Sequence, residues 1–282
     1  IHARDSPNLK FGTLFKSSCK FLPHPMYISS RCPSDDLNNL IASFPEEAKN
    51  LQRYVMFLAA THSGHSLIGS LLDAHPNMLV ANEADIFSRY VGSEKAQYPR
   101  TRLEGREEIF DDILSNSLKC ALFSRYQRGY NYTVPNGWGG HWMPGKLYVI
   151  GDKKGGSTSM RIEELLNKEG TEKMLTTFQE FQQTIGLPVH IIHVYWKKDE
   201  GYRRNDGFIK ILQEGMSSSK FSASEWDNSV YTCGDDASRR SLFFDTCKSL
   251  GVPCDSEILD TWASMANCRA AKKHFLKMHK GG

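Results

Sequence analysis

The sequence predicts an α/β fold built on a mainly parallel sheet. Three observations carry this. Four short apolar runs, at 54–60, 78–81, 147–150 and 189–195, have the length and the β-branched or aromatic content of buried strands. The segments between and after them place apolar residues at helical spacing. No linker, repeat or low-complexity tract breaks the alternation, so 1–50 is read as an irregular arm and helix and 51–282 as one domain. A chain of 282 residues, 40% apolar and 24% charged, can build a sizeable core and is too apolar for disorder throughout.

Residues 1–36 mix Pro, Ser, Lys and aromatics without period, and 37–50 is predicted helical through Leu37, Leu40 and Ile41. The strand at 54–60 runs straight into Thr61-His-Ser-Gly-His-Ser66. A helix with Leu67, Ile68, Leu71 and Leu72 on one face follows and stops at Asp73-Ala-His-Pro76, where Pro76 cannot continue it. After the strand at 78–81, a long helix over 105–126 carries Ile109, Phe110, Ile113, Leu114, Leu118 and Leu122 on one stripe. Residues 131–145 form a loop rich in Pro, Gly and Asn that also holds Trp138 and Trp142. The strand at 147–150 ends at Gly151-Asp-Lys-Lys-Gly-Gly156. Helices are predicted at 158–168 and 171–185, before the strand at 189–195. Further helices are predicted at 205–216, 237–250, 255–266 and 268–278.

A formal net charge of +3 gives no reason to expect a nucleic-acid partner, and no apolar run reaches the ~20 residues of a membrane helix. The seven cysteines show no C-x-x-C or paired metal spacing, so no metal is expected. Their odd number suits a reduced cytoplasmic protein, or a secreted one with a free thiol. The first residue, Ile1, and the sequon Asn131-Tyr-Thr133 lean towards the secretory pathway, in the Golgi lumen, with a signal or anchor segment removed. A cytoplasmic location is the alternative, and nothing in the sequence indicates an oligomeric state.

The turn at 61–66 joins a buried strand to a helix. The first turn of a helix has backbone N–H groups without intrahelical partners, and the helix dipole adds positive potential there. Gly64 lets an anion approach the backbone closely, and Ser63 and Ser66 offer hydroxyls. The same residues also suit a plain strand-to-helix turn capped by Ser66. The pattern G-x-x-x-x-G-K-[ST] is absent, which disfavours Mg-dependent ATP chemistry. A kinase would need a Mg-binding carboxylate, and Asp152 is the one candidate.

The string from His62 to Glu83, His-Ser-Gly-His-Ser-Leu-Ile-Gly-Ser-Leu-Leu-Asp-Ala-His-Pro-Asn-Met-Leu-Val-Ala-Asn-Glu, resembles the 5′-phosphosulfate-binding segment of sulfotransferases. It is most similar to the branch containing tyrosylprotein sulfotransferases, and the resemblance continues more weakly over 53–275. It implies a P-loop-type three-layer fold, a mainly parallel sheet flanked by helices. It also implies transfer of a sulfuryl group from 3′-phosphoadenosine-5′-phosphosulfate to a hydroxyl-bearing small molecule, glycan or protein. The product would be 3′,5′-adenosine bisphosphate, and no metal is required.

On this resemblance Thr61, His62, Ser63, Gly64, His65, Ser66 and Leu67 cradle the phosphosulfate, with His62 where the family has Lys or Arg. Glu83 stands as general base, a role that needs its pKa raised by partial burial. Lys153 steadies charge on the bridging oxygen, and His62 assists as a pH-dependent donor. For the 3′-phosphate, Trp196 stands where an Arg is expected and Arg204 near a Ser or Thr. That leaves Lys197, Arg203 and Arg204 as candidates, and Arg269, Lys272 or Lys273 to close over the donor. Trp138 and Trp142 either line the acceptor pocket or anchor packing. His62, His65 and His75 could together face a metal, but His75 sits in a helix-ending turn that suits a structural role. The departures at His62 and 195–204 support an alternative, a catalytically degenerate protein that keeps the fold and binds without turnover.

Overall fold

The computed structural model describes residues 42–60, 63–92, 102–122, 126–127, 130–131, 142–143, 145–196, 198 and 200–264. In chain order the strands are β1 (Arg53–Ala59), β2 (Met78–Asn82), β3 (Tyr126–Gln127), β4 (Tyr130–Asn131), β5 (Val149–Lys153), β6 (Val189–Tyr195) and β7 (Phe221–Asp227). Five of them form one sheet, in the spatial order β2-β5-β1-β6-β7, and every pairing in it is parallel. β3 and β4 make a separate antiparallel ladder. The helices are α1 (His65–Asp73), α2 (Ile86–Val91), α3 (Arg106–Leu122), α4 (Gly155–Ile185), α5 (Glu200–Gly215), α6 (Asn228–Cys233), α7 (Asp236–Leu250) and α8 (Ser256–Ser264). Residues 42–47 are also helical. Among the described residues no helix is long and apolar enough to cross a membrane.

Helices cover both faces of the sheet, which is why the inner strands are apolar without alternation. Val55, Phe57 and Ala59 of β1 point into one core with Ile68, Leu71 and Leu72 of α1 and Phe243, Cys247 and Leu250 of α7. Tyr54, Met56 and Leu58 point into the other, with Ile113 of α3, Phe178 and Phe181 of α4 and Leu212 of α5. The result is an α/β three-layer fold, as the strand and helix periods predict. Register aligns the carboxyl ends: Asn82 pairs with Lys153, and Leu58 with His193. The helix after β1 lies on one face and those after β5 and β6 on the other. A crevice at the end of β1 is the usual ligand position in such a sheet.

Several boundaries differ from the sequence expectation. The strand expected at 147–150 is β5, which starts at Val149 and runs on to Lys153. Its two charged residues are tolerated because backbone amides meet Asp152 and a carboxylate meets Lys153. α4 is continuous in position from 155 to 185, but Gly170 (φ 86°, ψ 173°) breaks it between the two helices expected there. β7 was not anticipated. Its Ser222, Ser224 and Glu225 look like loop, yet it is an edge strand whose serines bond the ring of buried His190 at 2.8 and 2.9 Å. The helix expected at 268–278 lies outside the described residues.

Candidate functional site

β1 delivers the chain to the turn that starts α1. Gly64 is the N-cap of α1 with φ 89°, so the cap position itself offers no side chain. Ser66 lies inside the helix and is not the cap. Two features require glycine at 64. Its φ is left-handed, and a Cβ there would stand 2.0 Å from Asn228 Nδ2. Asn228, at the start of α6, donates to Ser63 O at 2.9 Å and holds the turn down. Ser63 Oγ lies 3.3 Å from His65 Nδ1. The backbone N–H of Leu67 is already used, donating to Gly64 O at 3.0 Å.

β5 and β2 bring charge to this turn. Lys153, the last residue of β5, has a fully buried side chain that donates to Ser66 Oγ at 2.9 Å and to Glu83 Oε1. Lys154 donates to the other carboxylate oxygen, Glu83 Oε2. His65 Nε2 is 3.9 Å from Glu83 Oε1. Glu83 follows β2 and has φ 63°, and Asp85 has φ 61°. Left-handed backbone at a non-glycine residue is uncommon. Here it is held from below by Asp152, whose two carboxylate oxygens accept the amides of Ala84 at 3.0 Å and Ile86 at 2.9 Å. Glu83 N also donates to Lys153 O at 3.1 Å.

Burial pushes the Glu83 carboxyl up, but the ammoniums of Lys153 and Lys154 outweigh it and hold the group at about 2. The sequence expectation of a raised Glu83 is therefore corrected for the unliganded chain. Burial lowers Lys153, against the pull of Glu83. Asp152 moves the other way, to about 7, because burial and the nearby Asp85 and Glu83 outweigh the amide hydrogen bonds of Ile86 and Ala84.

The structure thus brings Ser63, Gly64, His65, Ser66, Leu67, Glu83 and Lys153 together. Thr61, His62, Trp138, Lys197 and Arg269 lie outside the described residues. Arg204, on α5, does not join the cluster through any bond; its Nη1 donates to Glu163 of α4 at 3.1 Å. Trp142 is 3% exposed and packs edge-to-face on Phe44 with ring centroids 6.1 Å apart. The next residue, Met143, donates to Pro76 O, ahead of β2, so Trp142 anchors the amino end of the strands, away from Glu83. Its reading as an acceptor-lining residue is corrected to a packing role. His75 accepts from Asn77 N at Nδ1 and contacts Pro253 O at 2.8 Å through Nε2, which defines a neutral structural tautomer. Burial takes it down to about 4.

No family model matches the chain, and no curated protein matches it.

Three residues of the cluster escaped the sequence reading. Lys154 was given no role, though the doubled lysine at a strand end was its signal. Asp152 was weighed only as a Mg ligand; both its oxygens are instead occupied by backbone amides. Asn228 had no signal, because β7 was not foreseen. Among the described residues, no three His, Cys, Asp or Glu side chains are grouped to hold a metal ion. Chemically, the cluster joins a glycine-capped helix start, a hydroxyl, two ammoniums and a carboxylate. Such a set suits an anion and a proton acceptor side by side.

Proposed function

We propose that the chain transfers a sulfuryl group from 3′-phosphoadenosine-5′-phosphosulfate to a hydroxyl acceptor, as a member of the sulfotransferase superfamily. The observation that carries this reading is the contact of Lys153 with both Ser66, in the first turn of α1, and Glu83. It places an ammonium between an anion cradle and a carboxylate. The bound donor would supply an activated sulfuryl group on a good leaving phosphate. Residues 63–67, with Thr61 and His62, hold its phosphosulfate through backbone amides and hydroxyls. Lys153 stabilises negative charge on the oxygen between phosphorus and sulfur. Glu83 takes the acceptor's proton. Arg204 is paired with Glu163, and Lys197, Arg203, Arg204 and Arg269 remain the candidates for the 3′-phosphate.

The Cys247–Cys254 disulfide supports an oxidising compartment, and with the sequon at Asn131 it favours the Golgi lumen. The test is transfer of labelled sulfate from the donor into pooled hydroxyl acceptors, with Glu83→Gln in parallel. Incorporation by the wild type, lost in the variant while 3′,5′-adenosine bisphosphate still binds, is the expected result. Unchanged turnover in Glu83→Gln would remove the base assignment, and absence of nucleotide binding would sink the donor reading. The engagement of both Glu83 oxygens by lysine favours one second reading, a degenerate protein that binds the nucleotide without turnover. It predicts binding with no incorporation for any acceptor.

A further inference from the structure

We infer that Lys154 exchanges partners: it holds Glu83 Oε2 in the unliganded chain and moves to an anion bound at the 63–67 turn, which Lys153 already borders, so that anion binding frees that oxygen of the base. This rests on the reading of the site given above.

Lys153 already touches both sides, Ser66 of the cradle and Glu83 Oε1. Lys154 takes the remaining oxygen, Oε2. A carboxylate with an ammonium on each oxygen is a poor proton acceptor. The two lysines and Glu83 sum to one positive charge, beside a helix start whose N-cap residue, Gly64, offers no side chain. An incoming phosphate or sulfate therefore competes with Glu83 for the same ammoniums. The other charged neighbours do not replace them. His65 stands 3.9 Å from Glu83 Oε1, Asp152 gives both its oxygens to backbone amides, and Asp85 bears the same charge as Glu83. The two lysines also differ in freedom. Lys153 is fixed in the sheet and fully buried, whereas Lys154 precedes α4 on non-helical backbone (φ −135°, ψ 57°) with a side chain 13% exposed. Lys154 is the one that can swing, and it acts as a positioning residue for Glu83.

The experiment measures binding of inorganic sulfate and of 3′,5′-adenosine bisphosphate by calorimetry. It uses the full chain, Glu83→Gln, Lys154→Met and the double variant. With exchange, Glu83→Gln tightens sulfate by about tenfold. Lys154→Met weakens it, and in the double variant most of the gain from Glu83→Gln disappears, because the competed-for ammonium is gone. A tenfold gain that persists undiminished in the Lys154→Met background would mean plain repulsion between Glu83 and the anion, and would overturn the inference. A second measurement needs no variant. The lysine ammonium signals of the labelled wild type are followed by nitrogen-15 NMR, and the Lys154 signal must move when sulfate binds; sulfate binding with that signal unmoved overturns it too. Coupling seen with sulfate, but no nucleotide binding and no sulfate transfer, keeps the exchange and overturns the donor. Transfer without coupling does the reverse. No sulfate binding at any soluble concentration overturns the exchange.

Discussion

Asp152→Asn should change how stability depends on pH, in a direction set by the environment of that carboxyl. Its ordinary value is 3.8, and in the folded chain it stands at about 7. Between those values the native state keeps the proton and the unfolded state has lost it. Stability contributed by Asp152 is therefore present below pH 4 and falls as pH rises, by about 1.4 kcal/mol per pH unit. From pH 5 to 7 this amounts to about 2 kcal/mol, because the native group is itself half deprotonated at 7. Asn has no such titration. It can accept one of the Ala84 and Ile86 amides through its oxygen but turns an NH₂ towards the other, a cost of about 1–3 kcal/mol that does not depend on pH. The measurement is urea unfolding of wild type and variant at pH 5, 6 and 7, read as the difference between them. The difference is essential. His75, His190 and His193 are held by burial at about 4, 3 and 4, so they raise stability with pH over the same window and mask the trend in either protein alone. The variant should gain on the wild type by about 2 kcal/mol as pH rises from 5 to 7. A difference that stays flat would refute the argument that burial makes Asp152 hold its proton in the folded chain.

Glu83→Gln should act in the opposite window. The Glu83 contribution exists above pH 4.5 and is lost as pH falls towards 2, so wild type and variant should converge in acid denaturation curves. Gly64→Ala must open the contact with Asn228 and strain a left-handed φ, so binding of 3′,5′-adenosine bisphosphate should weaken sharply and stability fall by about 1–3 kcal/mol. Trp142→Ala should cost about 3–5 kcal/mol in urea unfolding while nucleotide affinity stays unchanged, as expected of a packing residue far from the cradle. Cys247→Ala with Cys254→Ala opens a bridge spanning seven residues and should lower stability by about 2–3 kcal/mol in urea unfolding under oxidising conditions.

The strands that are buried on both faces were legible because burial on both faces imposes a continuous apolar run. β1 and β6 differ from their predicted limits by no more than one residue. Elements with one polar neighbour were not. β7 mixes serines and a glutamate into an edge strand, and its only strong apolar signals are Phe221 and Trp226. α2 and α6, six residues each, are too short for a helical period to emerge. The carboxyl end of β5 was read as loop because charged residues in a central strand need partners, and those partners come from β2 and the turn after it, about 70 residues earlier in sequence.

The site shows the same division between local and long-range information. Gly64 and the serines were visible because a strand, a short polar turn and a helix follow one another directly. Lys154 was not, because its partner is placed by the left-handed turn at 83–85, which Asp152 holds from beneath through the Ala84 and Ile86 amides. Nothing in Asn-Glu-Ala-Asp requires positive φ at Glu83 and Asp85. Two unfavourable features therefore coincide at the end of β2: left-handed non-glycine backbone, and a carboxyl raised by burial. Neither helps the sheet, whose strands would pair as well with a relaxed turn. Both serve to set one carboxylate against two ammoniums beside a glycine-capped helix start. Departures from local preference that converge on one side chain are what a binding or catalytic site leaves in a fold. That argument points to Glu83 whatever anion the cradle takes.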